Sequence, residues 1–318
     1  MKHSPKTILI FGASGFLGSS LRFHMSTYPD LNVLGASRAQ SREIRVVDYS
    51  PERLAKLLDT VQPDVVVNCV GTVGHDLVES NPSVAKESNV LLPEQLGKLT
   101  LERGLGLIHF SSDSVYGGNT DQAPFSEKSP AVPFSLYGHQ KLESELRVMR
   151  ANPSATVLRI NFYGWSLSGT KGMLDHFVSH AVAGTKPVGY ANYFASSLYV
   201  GELSRVVVEA IRKGVAGLFN VGSRDSISKL RFGQEVFARM GLDPKLVIEG
   251  NPSSWASKGV MSRDLSMSSD LIESTLGITL NSQLEGLSTA FDDLGPYLNF
   301  WKMTSTDNRQ RFIESSLR

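Results

Sequence analysis

Two residues of complementary chemistry stand four apart in the run Tyr137-Gly138-His139-Gln140-Lys141. On a helix this spacing puts both side chains on one face. An ammonium beside a phenol favours the phenolate, so Lys141 is expected to lower the pKa of Tyr137 and prepare it for proton transfer. Upstream, the run Ser111-Ser112-Asp113-Ser114-Val115-Tyr116-Gly117 follows an apolar segment. A hydroxyl at the carboxyl end of a parallel strand points into the crevice where open α/β sheets bind ligands. A third run, Gly12-Ala13-Ser14-Gly15-Phe16-Leu17-Gly18, repeats glycine every third position. Small residues there let the backbone turn sharply and approach a pyrophosphate. A helix starting at that point adds unpaired N–H groups and the positive end of its dipole.

The elements that must carry these groups alternate along the chain. Through the first 160 residues apolar runs alternate with amphipathic stretches, the pattern of βαβ units and a parallel sheet. Strands are expected at 7–11, 32–36, 45–47, 64–69, 106–110 and 156–160, and helices at 16–26, 51–60, 84–103 and 137–150. The glycine run therefore lies between a strand and a helix, the context in which it reads as a dinucleotide turn, with Gly18 allowing close helix–sheet packing. After the second strand, where an acid would bond a ribose 2′-hydroxyl, stand Ser37 and Arg38. A guanidinium there suits a 2′-phosphate, so NADP is expected, with NAD as the alternative. Asp48 and Tyr49 follow the third strand and could meet the adenine, although Asp48 could equally be a turn carboxylate.

The second half is less regular, with helices expected at 173–183, 201–213, 229–240, 266–276 and 284–294 and a strand at 217–221. The expected fold is α/β: a Rossmann-type doubly wound parallel sheet with a smaller C-terminal substrate-binding lobe. A soft boundary separates a dinucleotide-binding domain at 1–160 from the mainly substrate-binding lobe at 161–318, and strands are free to cross it.

Composition narrows the function. The 318 residues amount to roughly two domains at about 150 residues each. Lys and Arg number 32 against 31 Asp and Glu, and a net charge of +1 argues against a nucleic-acid partner. No apolar run reaches the roughly 18 residues of a spanning helix, and no signal-peptide pattern precedes the first strand. The expectation is a cytoplasmic protein without a membrane partner. The single cysteine, Cys69, excludes an internal disulfide and a multi-cysteine metal site, and is expected to pack as a small hydrophobe. His176 and His180 have metal-ligand spacing, but no Glu follows His176 and no third ligand is evident, so a solvated helix face is expected and no metal. Trp165, Trp255 and Trp301 could cover a substrate or simply pack.

Taken together these pieces resemble the extended short-chain dehydrogenase/reductase superfamily, and within it the dTDP-4-dehydrorhamnose reductase family of sugar-nucleotide reductases. The resemblance spans roughly residues 6–295. It rests on GASGFLG at 12–18, PDVVVNCVG at 63–71, HDLVESNP at 75–82, Asn89, HFSSDSVYGG at 109–118, YGHQK at 137–141 and LRINFYG at 158–164, with a looser match at 261–278. It implies NADPH-dependent reduction of a 4-keto-6-deoxy sugar nucleotide. Tyr137 would donate the proton, Lys141 would lower its pKa and hold the ribose hydroxyls, and Ser112 would hydrogen-bond the carbonyl oxygen. The dinucleotide would also meet Ser14, Phe16, Leu17, Asn89, the backbone of Cys69, Val70 and Gly71, and Asn161 and Phe162 near the nicotinamide. Thr72, Val73, His75, Asp76, Ser112 and Asp113 would face the sugar. Among the candidate cations for its pyrophosphate, Lys171, Lys186, Arg224, Arg231 and Arg263, the resemblance of MSRD favours Arg263. A second copy, in a homodimer, is a further expected partner.

The chain departs from the families it resembles at Ser112, where the reductases usually carry Thr, and at Ser114. Sugar-nucleotide dehydratases have a Glu base at position 114, GDP-fucose synthases a Cys and the reductases usually a Tyr. Serine is a poor base near neutral pH, which disfavours a dehydratase. The alternatives are a sugar-nucleotide epimerase and, from another class, a non-catalytic NADP-binding subunit like the regulatory subunit of methionine adenosyltransferase.

Overall fold

Apolar runs that leave both faces hydrophobic belong in a sheet covered on both sides. They form a seven-stranded sheet in the computed structural model, which describes residues 4–38, 44–45, 48–117, 122–251 and 264–304. Its strands are β1 (Lys6–Phe11), β2 (Leu31–Ser37), β3 (Ile44–Arg45), β4 (Val65–Asn68), β5 (Gly106–Ser112), β6 (Thr156–Ile160) and the later strand Gly217–Val221. In space they run Gly217–Val221, β6, β5, β4, β1, β2, β3, and every pairing is parallel. The chain order reverses between β1 and β4, and the crevice beyond their carboxyl ends is the ligand position of a doubly wound sheet.

The helices are α1 (Phe16–Met25), α2 (Pro51–Val61), α3 (His75–Ser80), α4 (Pro82–Lys86), α5 (Leu92–Glu102), α6 (Leu136–Ala151), α7 (Gly172–Val182), α8 (Val200–Lys213) and α9 (Lys229–Arg239), followed by Asp270–Leu276 and Gln283–Thr304. Alternate strand residues feed two cores. Ile8, Ile10, Val67, Ile108 and Leu158 pack with Leu21 and Met25 of α1 and Leu203, Val206 and Val207 of α8. Leu9, Phe11, Val66, Leu107 and Val157 pack with Leu54 and Leu58 of α2, Leu96 of α5 and Val148 of α6. A separate aromatic core holds the second lobe, with Tyr163, Trp165, Phe177, Tyr199, Phe232 and Tyr297 at its centre. No helix among the described residues is long and apolar enough to cross a membrane.

Three departures from the expected elements have physical causes. The single helix expected at 84–103 is broken by a π turn, Glu87–Leu91. Pro93 has no N–H to return to the carbonyl of Asn89, and the N–H of Leu92 instead donates to Glu87 O, five residues back. Strand β5 runs two residues past its expected end because Ser111 and Ser112 continue the register with Arg159 and Ile160 of β6. The helix expected from 266 begins only at Asp270, since Asp264 and Met267 bridge to Phe194 and Phe125. The strand Gly217–Val221, from the second half of the chain, completes the sheet edge beside β6.

One buried polar network ties these parts together. Arg159 of β6 grips Glu145 of α6 bidentately, Nε to Oε1 at 2.8 Å and Nη2 to Oε2 at 2.6 Å, with both side chains almost fully buried. Its remaining arm donates to the Tyr116 hydroxyl at 2.5 Å. Tyr116 stacks on Phe125 at 4.5 Å and donates to Asn220 Oδ1, on the added edge strand. Breaking one member of a buried pair strands the other charge in a low-dielectric interior. Glu145→Ala is therefore expected to lower the urea-unfolding free energy by about 3–5 kcal/mol, whereas altering the exposed Lys98 should leave the unfolding midpoint nearly unchanged.

Candidate active site

The glycine turn leads from β1 into α1. Gly12 has φ +76, a left-handed conformation, and a Cβ there would lie 3.0 Å from the carbonyl of Cys69. A Cβ on Gly18 would lie 2.3 Å from Gly12 O, so only glycine lets the helix pack this close to the turn. No side chain caps the first turn of α1, which leaves its N–H groups for an anion. The cradle fits a dinucleotide pyrophosphate. Phe16 sits on Phe162, ring centroids 4.9 Å apart, and Ser14 is exposed.

Beyond β2, exposed Arg38 lies over the Tyr49 ring at 5.4 Å, and Tyr49 meets Phe11 edge-on at 6.3 Å. Ser37 is buried at the strand end. Asp48 proves to be a turn carboxylate, accepting from Ser50 N at 3.0 Å and pairing with Arg53 at 2.9 Å. Hydrogen bonds from Ser50 are the main cause of its lowered pKa.

At the end of β4, Cys69 is half-buried, with its thiol pushed up by burial, and packs as a small hydrophobe. Asn89 is buried inside the π turn. Its Oδ1 accepts from Thr72 N at 2.8 Å, and its Nδ2 donates to Thr72 O at 3.0 Å and Gln140 Oε1 at 2.8 Å. The amide expected to contact the dinucleotide shapes the 69–72 strand end. The Thr72 hydroxyl, expected to face the sugar, bonds Ser88 at 2.8 Å. Val73 and Asp76 are exposed, and His75 begins α3.

Helix α6 brings the remaining groups. Ser135 caps it, its Oγ accepting from Gly138 N at 3.1 Å. A Cβ on Gly138 would lie 2.4 Å from Ser114 O, so the glycine after Tyr137 lets α6 press against the turn that follows β5. Ser112 thereby comes within hydrogen-bonding reach of Tyr137. Lys141, buried one turn on, donates to Phe110 O at 2.6 Å. Ser112, Tyr137 and Lys141 are thus assembled at one strand end.

Their electrostatics differ from the expectation. The Tyr137 phenol is pushed up, by burial first and by the Asp113 charge as well, against its hydrogen-bond contact with Ser112; Lys141 is not among its influences. Burial also lowers Lys141 to about 8, partly offset by the Glu145 charge. Desolvation outweighs the ammonium, because Lys141 points at a main-chain carbonyl. The phenol therefore holds its proton through the neutral range.

Asp113 is buried and bonded on both oxygens: Ser112 Oγ donates to Oδ1 at 2.9 Å, and Asn161 Nδ2 to Oδ2 at 2.5 Å. Burial raises its pKa against those bonds. Asn161, expected near the nicotinamide, also accepts from Ser197 Oγ at 2.7 Å. The Asp113 charge acts as well on Tyr193, whose phenol is raised mainly by burial. Sequence reasoning missed Tyr193, Ser197, Gln140 and Gly138. Only Gly138 carried a signal, a glycine inside an otherwise good helix.

Several candidates fall elsewhere. Arg263 and Trp255 lie outside the described residues. Arg224 pairs with Glu285 at 3.2 Å and Arg231 pairs with Glu235. Lys171 and Lys186 are exposed. His176 and His180 stand 4.9 Å apart between ring centroids, and no metal-holding group of three ligands occurs among the described residues. Trp165 is a packing residue, donating to Ala290 O at 2.6 Å.

The comparisons with known proteins agree on the fold. The family model described as RmlD substrate binding domain matches residues 6–295. A probable low-salt glycan biosynthesis reductase of Haloferax volcanii is 29% identical over 248 residues, 76% of this chain and 82% of that protein. The methionine adenosyltransferase 2 subunit beta of Mus musculus is 34% identical over 157 residues, 49% of this chain and 46% of that one. The crystal structure of a dTDP-4-dehydrorhamnose reductase from Bacillus anthracis in complex with NADP superimposes with a TM-score of 0.79 at 16% identity, covering 91% of this chain and 99% of that one.

The lowered pKa of Lys141 has a consequence for stability. Between about 8 and the ordinary lysine value the unfolded chain still binds a proton that the folded chain has released, so this group adds stability as pH rises. In urea titrations across that window, the stability of the wild type relative to Lys141→Met should grow with pH. A difference that stays flat would mean that Lys141 keeps its proton in the folded protein.

Proposed function

The chain belongs to the RmlD substrate binding domain family, and we propose that it uses NADPH to reduce the keto group of a 4-keto-6-deoxy sugar nucleotide, with Tyr137 as the proton donor. The observation that carries this reading is the meeting of Ser112, Tyr137 and Lys141 at the carboxyl end of β5, next to the glycine cradle. The likeness to a reductase solved with NADP supports it.

In this reading Gly12, Ser14, Gly15, Phe16, Leu17 and Gly18 hold the pyrophosphate. Ser37 and Arg38 take the 2′-phosphate, Tyr49 lies by the adenine, and Cys69, Val70 and Gly71 pass the dinucleotide by backbone. Phe162 flanks the nicotinamide side through its contact with Phe16. NADPH, when bound, supplies hydride for the carbonyl carbon. The Tyr137 phenol, kept protonated by its raised pKa, gives its proton to the carbonyl oxygen. Ser112 is the second hydroxyl at that oxygen, and the two meet the developing alkoxide charge. The buried Lys141 cation lies on the same helix face and favours the phenolate left behind. Domain 1–160 carries the dinucleotide, and 161–318 supplies most of the sugar-nucleotide contacts.

The half-chain likeness to a methionine adenosyltransferase subunit favours a second reading, a dinucleotide-binding regulatory protein without turnover. Loss of NADPH absorbance on addition of dTDP-4-dehydrorhamnose, or of another keto-sugar nucleotide from a dTDP, UDP, GDP and CDP panel, separates the two. Tyr137→Phe keeps the ring and removes the donor, so kcat should fall about 10²–10⁴-fold with the fold intact. A rate within about twofold of the wild type would remove Tyr137 from the chemistry. Arg38→Ala should abolish a preference for NADPH over NADH in direct titration. Equal binding of both by the unmutated protein would overturn the 2′-phosphate assignment.

A further inference from the structure

The hydroxyl of Ser112 has one proton and two lone pairs. The Ser112 oxygen lies 2.9 Å from Asp113 Oδ1 and 3.1 Å from Ser114 Oγ, and Ser114 N donates to it at 3.2 Å; a carboxylate can only accept, so the Ser112 proton is the one that goes to Asp113. The oxygen is pinned from three directions, and its donor capacity is committed to a carboxylate, the strongest acceptor within reach. Asp113 is itself pinned. Its second oxygen takes the Asn161 amide at 2.5 Å, and the far end of that amide takes the Ser197 hydroxyl at 2.7 Å. Hydrogen-bond polarity runs one way through the chain, from Ser197 to Asn161 to Asp113, with Ser112 entering from the other side. Ser197 lies beside the strand Leu198–Tyr199, which leads directly into α8, so the chain spans from the end of β5 to the second half of the protein.

Resting on the reductase reading above, we propose that Asp113 is a positioning residue: with Asn161 and Ser197 it forms a relay that fixes the Ser112 hydroxyl beside Tyr137 and ties it to the second lobe. The Ser112 oxygen then stays in place while only its proton has to turn, from Asp113 to an incoming carbonyl oxygen. Asp113 need not touch the sugar to govern the rate.

The test is a pair of double-mutant cycles, read in turnover and in urea unfolding. Asp113→Asn keeps the shape and removes the carboxylate. It should lower kcat about ten- to a hundredfold while leaving the KM for NADPH within about twofold. Ser112→Ala, added to Asp113→Asn, should cost no more than about a further threefold, because Asp113 acts through Ser112. Multiplicative losses in that cycle would overturn the relay, as would a loss confined to the KM for the sugar nucleotide, which would make Asp113 a substrate contact. Should Asp113→Asn fail to fold, the Ser112→Ala and Ser197→Ala cycle asks the same question, since these residues share no hydrogen bond and couple only through the relay. The unfolding constants are read whether or not a keto-sugar is turned over. The relay predicts that the double variant's unfolding constant departs from the product of the single effects by about threefold or more, and independent effects overturn it. Absence of turnover in the wild type sinks the reductase reading, whereas additive cycles sink the relay alone.

Discussion

Helix α6 can reach the end of β5 only because position 138 has no side chain. A Cβ there would stand 2.4 Å from the Ser114 carbonyl, far inside van der Waals contact. That close approach sets the depth at which α6 sits and, with it, everything α6 carries. Tyr137 meets Ser112, Lys141 reaches Phe110 O, Gln140 meets Asn89, Ser144 meets His109 at 2.8 Å, and Glu145 lies against Arg159. One helix face thus supplies both the candidate reactive groups and the buried polar contacts beneath them.

Burial is the second ruling effect, and it acts on opposite charges in opposite directions. It raises the phenol of Tyr137 and the carboxyl of Asp113 and lowers the ammonium of Lys141. The common result is that each group is driven toward its neutral form. In the proposed reaction a phenol held protonated near neutral pH is the form that can deliver a proton to a ketone. The ammonium of Lys141 is turned to the Phe110 carbonyl, and its charge is weakly held. Asp113 retains hydrogen bonds on both oxygens because an unmet carboxylate at this depth would be costly.

Most of the sheet was legible in the sequence because parallel strands buried on both faces must be continuous apolar runs. The segments TILIF, VVVN and GLFNV appear as strands where expected. The glycine cradle was legible too, since the close contact of Gly18 with Gly12 acts within seven residues, although the contact of Gly12 with the Cys69 carbonyl does not. The π turn at 87–91 was hidden because helical periodicity runs through it, although Pro93 carried the cause. The short strands of the second lobe, such as Phe194–Ala195 and Ile227–Ser228, are too brief to show alternation.

The sequence by itself determined the doubly wound sheet, the dinucleotide turn, the pairing of Tyr137 with Lys141 on one helix face, and the exclusion of a disulfide within the chain. These follow from local sterics, short-range periodicity and residue counts. Tertiary structure alone decided that Asn89 braces Thr72, that Asp48 is a turn carboxylate, that Lys141 addresses a carbonyl rather than the phenol, and that Asp113, Asn161 and Ser197 form one chain. In each case the outcome depends on which donor and acceptor are brought within about 3 Å across a gap in sequence, and on how much water is removed when they meet. Neither quantity is written in the order of residues, because both arise only when distant segments pack.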